Sequence, residues 1–268
     1  MDPAHETLTS RDGTRLHLAV WAPESYERTV ILTHGLAEHM GRYQHVAAAL
    51  NTAGYRVLGL ELRGHGDSEG KRGHVEAWSD YGDDLAAAVA FAGGPCFLLA
   101  HSMGGPVVLD RLQAPLPQKI LGVVLTNPLL GVRVEAPKIK LWAAGLLSRL
   151  LPRISLSNEL DPQMISRDPA VVKAYTEDPR VYSTITPRWY TEMRAACARI
   201  LAAGSVGGVP LLMVTSDADR ICDPEASRRF ASACGAEQLT YPPLFHEVLN
   251  EPEQAQVIAD ILAWLATH

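Results

Sequence analysis

Pro95-Cys96-Phe97-Leu98-Leu99 reads as a short apolar strand, and it runs through Ala100-His101-Ser102-Met103-Gly104-Gly105 into the helix-capable Pro106-Val107-Val108-Leu109-Asp110-Arg111-Leu112. A strand that hands a serine to a helix within so few residues has to turn sharply. Such a turn strains the serine backbone and tolerates almost no bulk two positions to either side. Ala100 and Gly104 meet that requirement. The turn also leaves the amide of Met103 in the first turn of the helix, where unpaired N–H groups and the positive end of the helix dipole favour an anion. The pattern is that of a nucleophile elbow with an oxyanion site beside it.

The surrounding sequence supplies the layers that such a turn needs. Leu16 to Trp21 alternates as an edge strand does, and Thr29 to Thr33 reads as a buried strand. Arg42 to Ala53 turns helical and ends at Gly54, Tyr55 to Leu60 is a further strand, and Asp80 to Ala92 is a helix ending at Gly93-Gly94. After the elbow come the strands Ile120 to Thr126 and Pro210 to Thr215, the helix Pro224 to Cys234 and the strand Glu237 to Tyr241. Glu251 to Leu265 is a closing helix, with Pro252 in its first turn. Strands alternating with helices call for a doubly wound α/β domain with a mostly parallel sheet.

One interval breaks the rhythm. Thr126 and Pro210 are separated by 83 residues with seven prolines, far more than a crossover helix needs. This predicts a core of residues 1–127 and 209–268 carrying an inserted helical cap at 128–208. Within the cap, Leu141 to Leu151 is apolar on most sides, and the reading preferred is a helix buried between cap and core. The alternative is an exposed rim that touches lipid or admits an acyl chain.

Composition narrows the function classes. At 268 residues the chain can bury one large core with an insertion. The net charge of -6 is spread over mixed acidic and basic residues, so no nucleic-acid partner is expected. The N-terminus is polar and acidic without a signal-peptide pattern, which predicts a cytoplasmic protein, at most peripheral to a membrane. The uncharged stretch beginning at Leu85 is broken by Gly93-Gly94-Pro95 and does not read as a membrane span. The four cysteines show no CxxC spacing, so reduced thiols are expected; Cys222 could sit near a site, and the reading preferred for it is a buried bystander. His34, His39, His65 and His74 lack a metal-ligand pattern, and Gly64-His65-Gly66 lacks phosphate-loop spacing. No metal and no cofactor are expected.

A serine is a poor nucleophile without a base, and the base needs a third group to fix its tautomer. On a fold of this kind the chain order is Ser, then Asp or Glu, then His. Of the ten histidines only His246 and His268 follow the Pro210 to Thr215 strand, and His268 is the final residue, so His246 is the base by elimination. Three aspartates compete for the acid. Asp223 precedes Pro224 and suits a helix cap, Asp217 sits close to the strand end, and Asp219 is the best placed. The second oxyanion donor should come from the loop after the Thr29 to Thr33 strand, where the amide of Leu36 is the candidate.

Taken together, these segments resemble the monoacylglycerol lipase and lysophospholipase group of the α/β-hydrolase superfamily. His34-Gly35-Leu36-Ala37-Glu38-His39-Met40-Gly41-Arg42-Tyr43 resembles its HGxxEHxxRY segment, Arg63 to Gly70 its RGHGxSxG loop, and His101-Ser102-Met103-Gly104-Gly105 its HSMGG elbow. Ser216 to Asp223 and His246-Glu247 to Asn250-Glu251 match its acid and base segments. The resemblance covers nearly the whole chain and implies an α/β-hydrolase fold with a helical cap. It implies Ser102 as nucleophile, Asp219 as orienting acid, His246 as base, and the Leu36 and Met103 amides as oxyanion hole. By the same resemblance Glu38 and Arg42 would form a polar pair under the entrance, and Tyr175 would line a glycerol pocket, as substrate-binding residues. Two positions depart from the pattern: Ala100 stands where many relatives have glycine, and Glu61 where an aspartate commonly precedes the RGHG loop.

The expected activity is hydrolysis of a monoacylglycerol to glycerol and fatty acid through an acyl-enzyme, with a small lipid ester as the partner and transient membrane-surface contact through the cap. A general carboxylesterase or lysophospholipase would share the chemistry and differ in the cap. An acyltransferase would favour an alcohol acceptor over water, and a non-catalytic ligand-binding protein on this fold usually loses a member of the triad.

Overall fold

Near-continuous apolar runs such as Val30-Ile31-Leu32, Leu98-Leu99 and Val123-Val124-Leu125 suit only strands buried on both faces. The computed structural model, which describes residues 2–133 and 137–268, buries them at the centre of an eight-stranded sheet. β1 (Ala4–Thr9) and β2 (Arg15–Trp21) pair antiparallel, and β3 (Arg28–Thr33) leads through a short 3-10 turn at Met40–Tyr43 into α1 (Gln44–Thr52). β4 (Tyr55–Leu60) is followed by α2 (Ser79–Ala92), β5 (Cys96–His101) by α3 (Gly104–Arg111), and β6 (Ile120–Thr126) by the insertion. The insertion holds α4 (Lys138–Leu150), α5 (Pro169–Glu177), α6 (Pro187–Ala203) and a two-residue ribbon of β7 (Leu156–Ser157) with β8 (Thr184–Ile185). The chain re-enters the sheet as β9 (Leu211–Thr215), continues through α7 (Pro224–Cys234) and β10 (Glu237–Thr240), and closes with α8 (Gln254–Thr267).

The sheet order is β1-β2-β4-β3-β5-β6-β9-β10, with β2 antiparallel to both neighbours and every later pairing parallel. Along β5, Cys96, Leu98 and Ala100 enter one core with α2, α3 and α7, while Phe97 and Leu99 enter the other with α1 and α8. This period of two is the strand's own geometry.

Several expectations need correction. β2 is not an edge strand, because the polar N-terminal residues Ala4–Thr9 pair along its outer side. Their exposed side chains carry no apolar alternation to read. α8 starts at Gln254, so Pro252 lies before the helix instead of in its first turn. The apolar stretch around α4 is not buried: Trp142 is 70 % exposed, Leu146 44 % and Leu150 67 %. α6 turns Trp189, Met193, Ala196 and Ile200 into the sheet's core. It therefore meets α4 with other residues, as where Ser148 Oγ lies 2.8 Å from Thr191 Oγ1. The i, i+4, i+8 row of Trp142, Leu146 and Leu150 is left facing outward.

Candidate active site

Open α/β sheets bind ligands outside the carboxyl ends of their strands, and the loops after β3, β5, β9 and β10 converge there. Ser102, the first residue past β5, has φ +49°, a left-handed backbone that a non-glycine residue adopts only when its surroundings hold it. Ser102 N–H donates to Thr126 O at 3.0 Å, and Ser102 O accepts from the amides of Gly105 and Leu129, each at 3.0 Å. A Cβ on Gly104 would lie 2.8 Å from Thr33 O and 2.9 Å from His34 O, so the end of β3 fills the space a side chain would need. Ala100 is fully buried in the core, where its single methyl is accommodated.

The loop after β10 places His246 Nε2 at 2.9 Å from Ser102 Oγ. Its Nδ1 lies 2.8 Å from Asp219 Oδ2. The other oxygen of Asp219 accepts from the amides of Ile221 (2.8 Å) and Cys222 (3.0 Å), which fixes the carboxylate's orientation. Asp217 instead pairs with Arg228, and Asp223 caps α7 by accepting from Glu225 N. Burial works against a charge on His246, but the Asp219 carboxylate outweighs it and raises the imidazole pKa. The His101 ring packs 4.8 Å from that of His246, and burial pushes its own pKa down to about 4, so it stays neutral beside His246.

Leu36 and Ser102 line the same cavity, and their two loops approach closely: a Cβ on Gly35 would lie 2.8 Å from Glu38 Oε1 and 3.2 Å from Ser102 Cβ. Among the described residues, the amides of Leu36 and Met103 are bonded to no carbonyl or side chain. The cavity encloses about 140 Å³. Leu129, Ile165, Trp189 and Met193 give it apolar walls, while Glu38 and Glu247 mark a polar end beside Tyr175.

Glu38 and Arg42 do pair, at 2.6 Å, and Arg42 also makes two bonds to Glu247, which sequence reasoning did not single out. Burial would raise the Glu38 pKa, yet the Arg42 guanidinium holds it at about 2. Tyr175 lines the cavity and lays its ring 4.8 Å from the Arg42 guanidinium carbon, whereas Arg42 is not on the cavity wall.

One further residue was missed. Asn127, at φ +40° after β6, donates to His246 O at 2.7 Å and accepts from Ser216 N at 2.9 Å, tying the loop after β9 to the loop after β10. An asparagine directly after a central strand was its only trace in the sequence. Cys222 is buried beside the site: its Sγ lies within 4.8 Å of a carboxylate oxygen of Asp219 and a ring nitrogen of His246. Burial, reinforced by Asp219, keeps the thiol protonated. Glu61, the second departure from the family pattern, accepts from Met40 N at 3.1 Å and Asp67 N at 2.6 Å and so organises the Arg63 to Gly70 loop.

A serine on a strained turn, an imidazole in contact with it and free amides beside it suit acyl transfer to a hydroxyl. On this sheet they define an α/β-hydrolase of the serine hydrolase class. The family described as serine aminopeptidase, S33 matches residues 24–253. Monoacylglycerol lipase of Mycolicibacterium smegmatis is 35 % identical over 266 residues, covering 96 % of this chain and 94 % of that one. Monoglyceride lipase of Homo sapiens is 30 % identical over 272 residues, covering 97 % and 89 %. The crystal structure of Paleococcus ferrophilus monoacylglycerol lipase superposes with a TM-score of 0.88 at 32 % identity, covering 94 % of this chain and 99 % of that one. The chain belongs to this S33 family of α/β-hydrolases, in the group that contains the monoacylglycerol lipases.

Proposed function

We propose that the chain hydrolyses monoacylglycerols to glycerol and fatty acid, with Ser102, His246 and Asp219 as catalytic residues. The observation that carries this reading is the unbroken hydrogen-bonded line from Asp219 through His246 to Ser102, opening on a largely apolar cavity with one polar end. His246 Nε2 takes the Ser102 proton as Oγ attacks the ester carbonyl, and Asp219 holds Nδ1–H and stabilises the imidazolium. The Leu36 and Met103 amides donate to the oxyanion, each worth about 3 kcal/mol of barrier. As the tetrahedral intermediate collapses, the C–O bond to glycerol breaks and His246 returns its proton to the leaving oxygen. Water then attacks the acyl-enzyme, again giving a proton to His246, and Ser102 recovers it as the fatty acid departs. The scheme uses no metal or cofactor.

Apolar walls suit an acyl chain, while Glu38 and Tyr175 at the polar end suit the glycerol hydroxyls. Residues 128–208 serve as the cap, supplying Tyr175, Trp189 and Met193 to the cavity, and the outward face of α4 meets the lipid surface that holds the substrate. The relatives named monoacylglycerol and monoglyceride lipase support this choice of substrate. A panel of monoacylglycerols, lysophospholipids and p-nitrophenyl esters tests it, with monoacylglycerols expected to show the highest kcat/KM. A clear preference for lysophospholipids would overturn the substrate assignment.

A further inference from the structure

The reaction proposed above needs two loops to keep their separation: the one after β3, with Leu36, and the one after β10, with His246. A misplacement of about 1 Å between reacting groups typically costs ~10²-fold in rate. One buried ion cluster spans these loops. Glu38 Oε1 accepts from Gly35 N–H, directly before Leu36, at 2.6 Å and from Tyr43 OH at 2.7 Å. Its Oε2 accepts from Arg42 Nη1 at 2.6 Å. Arg42 then grips Glu247, the residue after His246, through Nη1–Oε1 at 2.7 Å and Nη2–Oε2 at 2.6 Å. Glu247 is fastened in turn by its amide to Ile165 O at 2.8 Å and by Asn250 Nδ2 at 3.0 Å.

The cluster is out of solvent, with the side chains of Glu38, Arg42 and Glu247 only 3 %, 10 % and 5 % exposed. Arg42 gives three hydrogen bonds to two carboxylates, lies under the Tyr175 ring and is absent from the cavity wall. A guanidinium so engaged has little left to offer a substrate hydroxyl. Its planar fork, however, is the group that can brace two carboxylates on different loops at once.

We propose that Arg42 is a positioning residue that ties the oxyanion loop to the base loop through Glu38 and Glu247, and that it does not bind the glycerol head. This rests on the esterase reading above. The structure therefore assigns Arg42 a role different from the substrate-binding one that family resemblance implies for it.

The experiment compares wild type with Arg42→Gln, Arg42→Lys, Glu247→Gln and the double variant Arg42→Gln/Glu247→Gln. Each is assayed on a monoacylglycerol and on the p-nitrophenyl ester of the same acid, which has no glycerol. Arg42→Gln is expected to lower kcat by about 10²-fold on both esters alike, with KM little changed. Arg42→Lys keeps the charge, is expected to fold as wild type, and recovers part of the loss. The double variant is expected to lose no more than the worse single, because one tie is broken in each case. A loss confined to the monoacylglycerol with raised KM, losses that multiply in the double variant, or wild-type kcat in Arg42→Gln would each overturn the proposal.

The rate at which a fluorophosphonate captures Ser102 gives a second readout, since it needs the base and the oxyanion donors but no glycerol. Capture is expected to slow in Arg42→Gln and to recover in Arg42→Lys; an unchanged rate contradicts the tie. If wild type turns over neither ester, the esterase reading fails, while the capture rates still decide the role of Arg42.

Discussion

At the scale of single residues, the proposed mechanism needs His246 neutral when substrate arrives and charged in the transition state. Burial lowers its proton affinity and the Asp219 carboxylate more than restores it, so its pKa sits above the ordinary imidazole value. Activity needs the deprotonated base, so kcat/KM should rise with pH along an acid limb centred above the ordinary value of about 6.5. Asp219→Asn removes the raising charge and the tautomer lock. The limb should move to lower pH and kcat should fall by up to ~10⁴-fold. A pH–rate profile of both proteins checks this, and an acid limb that stays in place would remove Asp219 from the role. That Ser102, His246 and Asp219 meet was legible because chain order leaves few candidates. Asn127 and Glu247 were not, because what they do depends on partners 89 and 205 positions away in the chain: Ser216 for Asn127 and Arg42 for Glu247.

At the scale of elements, strands with buried apolar runs were readable nearly to the residue, as β4 and β6 show. β1 was not, because a strand that presents mostly exposed side chains has no alternation to betray it. The orientation of α4 was equally hidden: whether its apolar face is covered depends on which way α6 turns, and α6 is committed to the sheet. That outward row of Trp142, Leu146 and Leu150 is expected to seat on lipid. The double variant Trp142→Ser/Leu146→Ser should bind phospholipid vesicles more weakly and hydrolyse bilayer-held monoacylglycerol more slowly. Its activity on a water-soluble short-chain ester should be unchanged. Sedimentation with vesicles and paired assays measure both arms, and undiminished vesicle binding would contradict the assignment. No helix among the described residues is long and apolar enough to cross a membrane.

At the scale of the whole molecule, the insertion is joined to the core beside the proposed active site. Tyr182 N–H donates to Ala37 O at 3.2 Å, one residue past Leu36, and Tyr182 OH lies 2.6 Å from His65 Nε2. Asp178 meets His39 at 2.8 Å, and Thr186 N–H donates to Gly73 O at 2.8 Å. Core strands, loops and insertion thus meet around the Ser102 hydroxyl, and in the proposed mechanism this hydroxyl carries the acyl group during turnover. The direct measurement is mass spectrometry of protein mixed with a monoacylglycerol and quenched in acid within a turnover. Wild type should gain one acyl group in place of a hydrogen, mapped to the peptide containing Ser102, and Ser102→Ala should gain none and lose at least ~10³-fold in kcat. An acyl group found on another side chain, or turnover retained by Ser102→Ala, would contradict it.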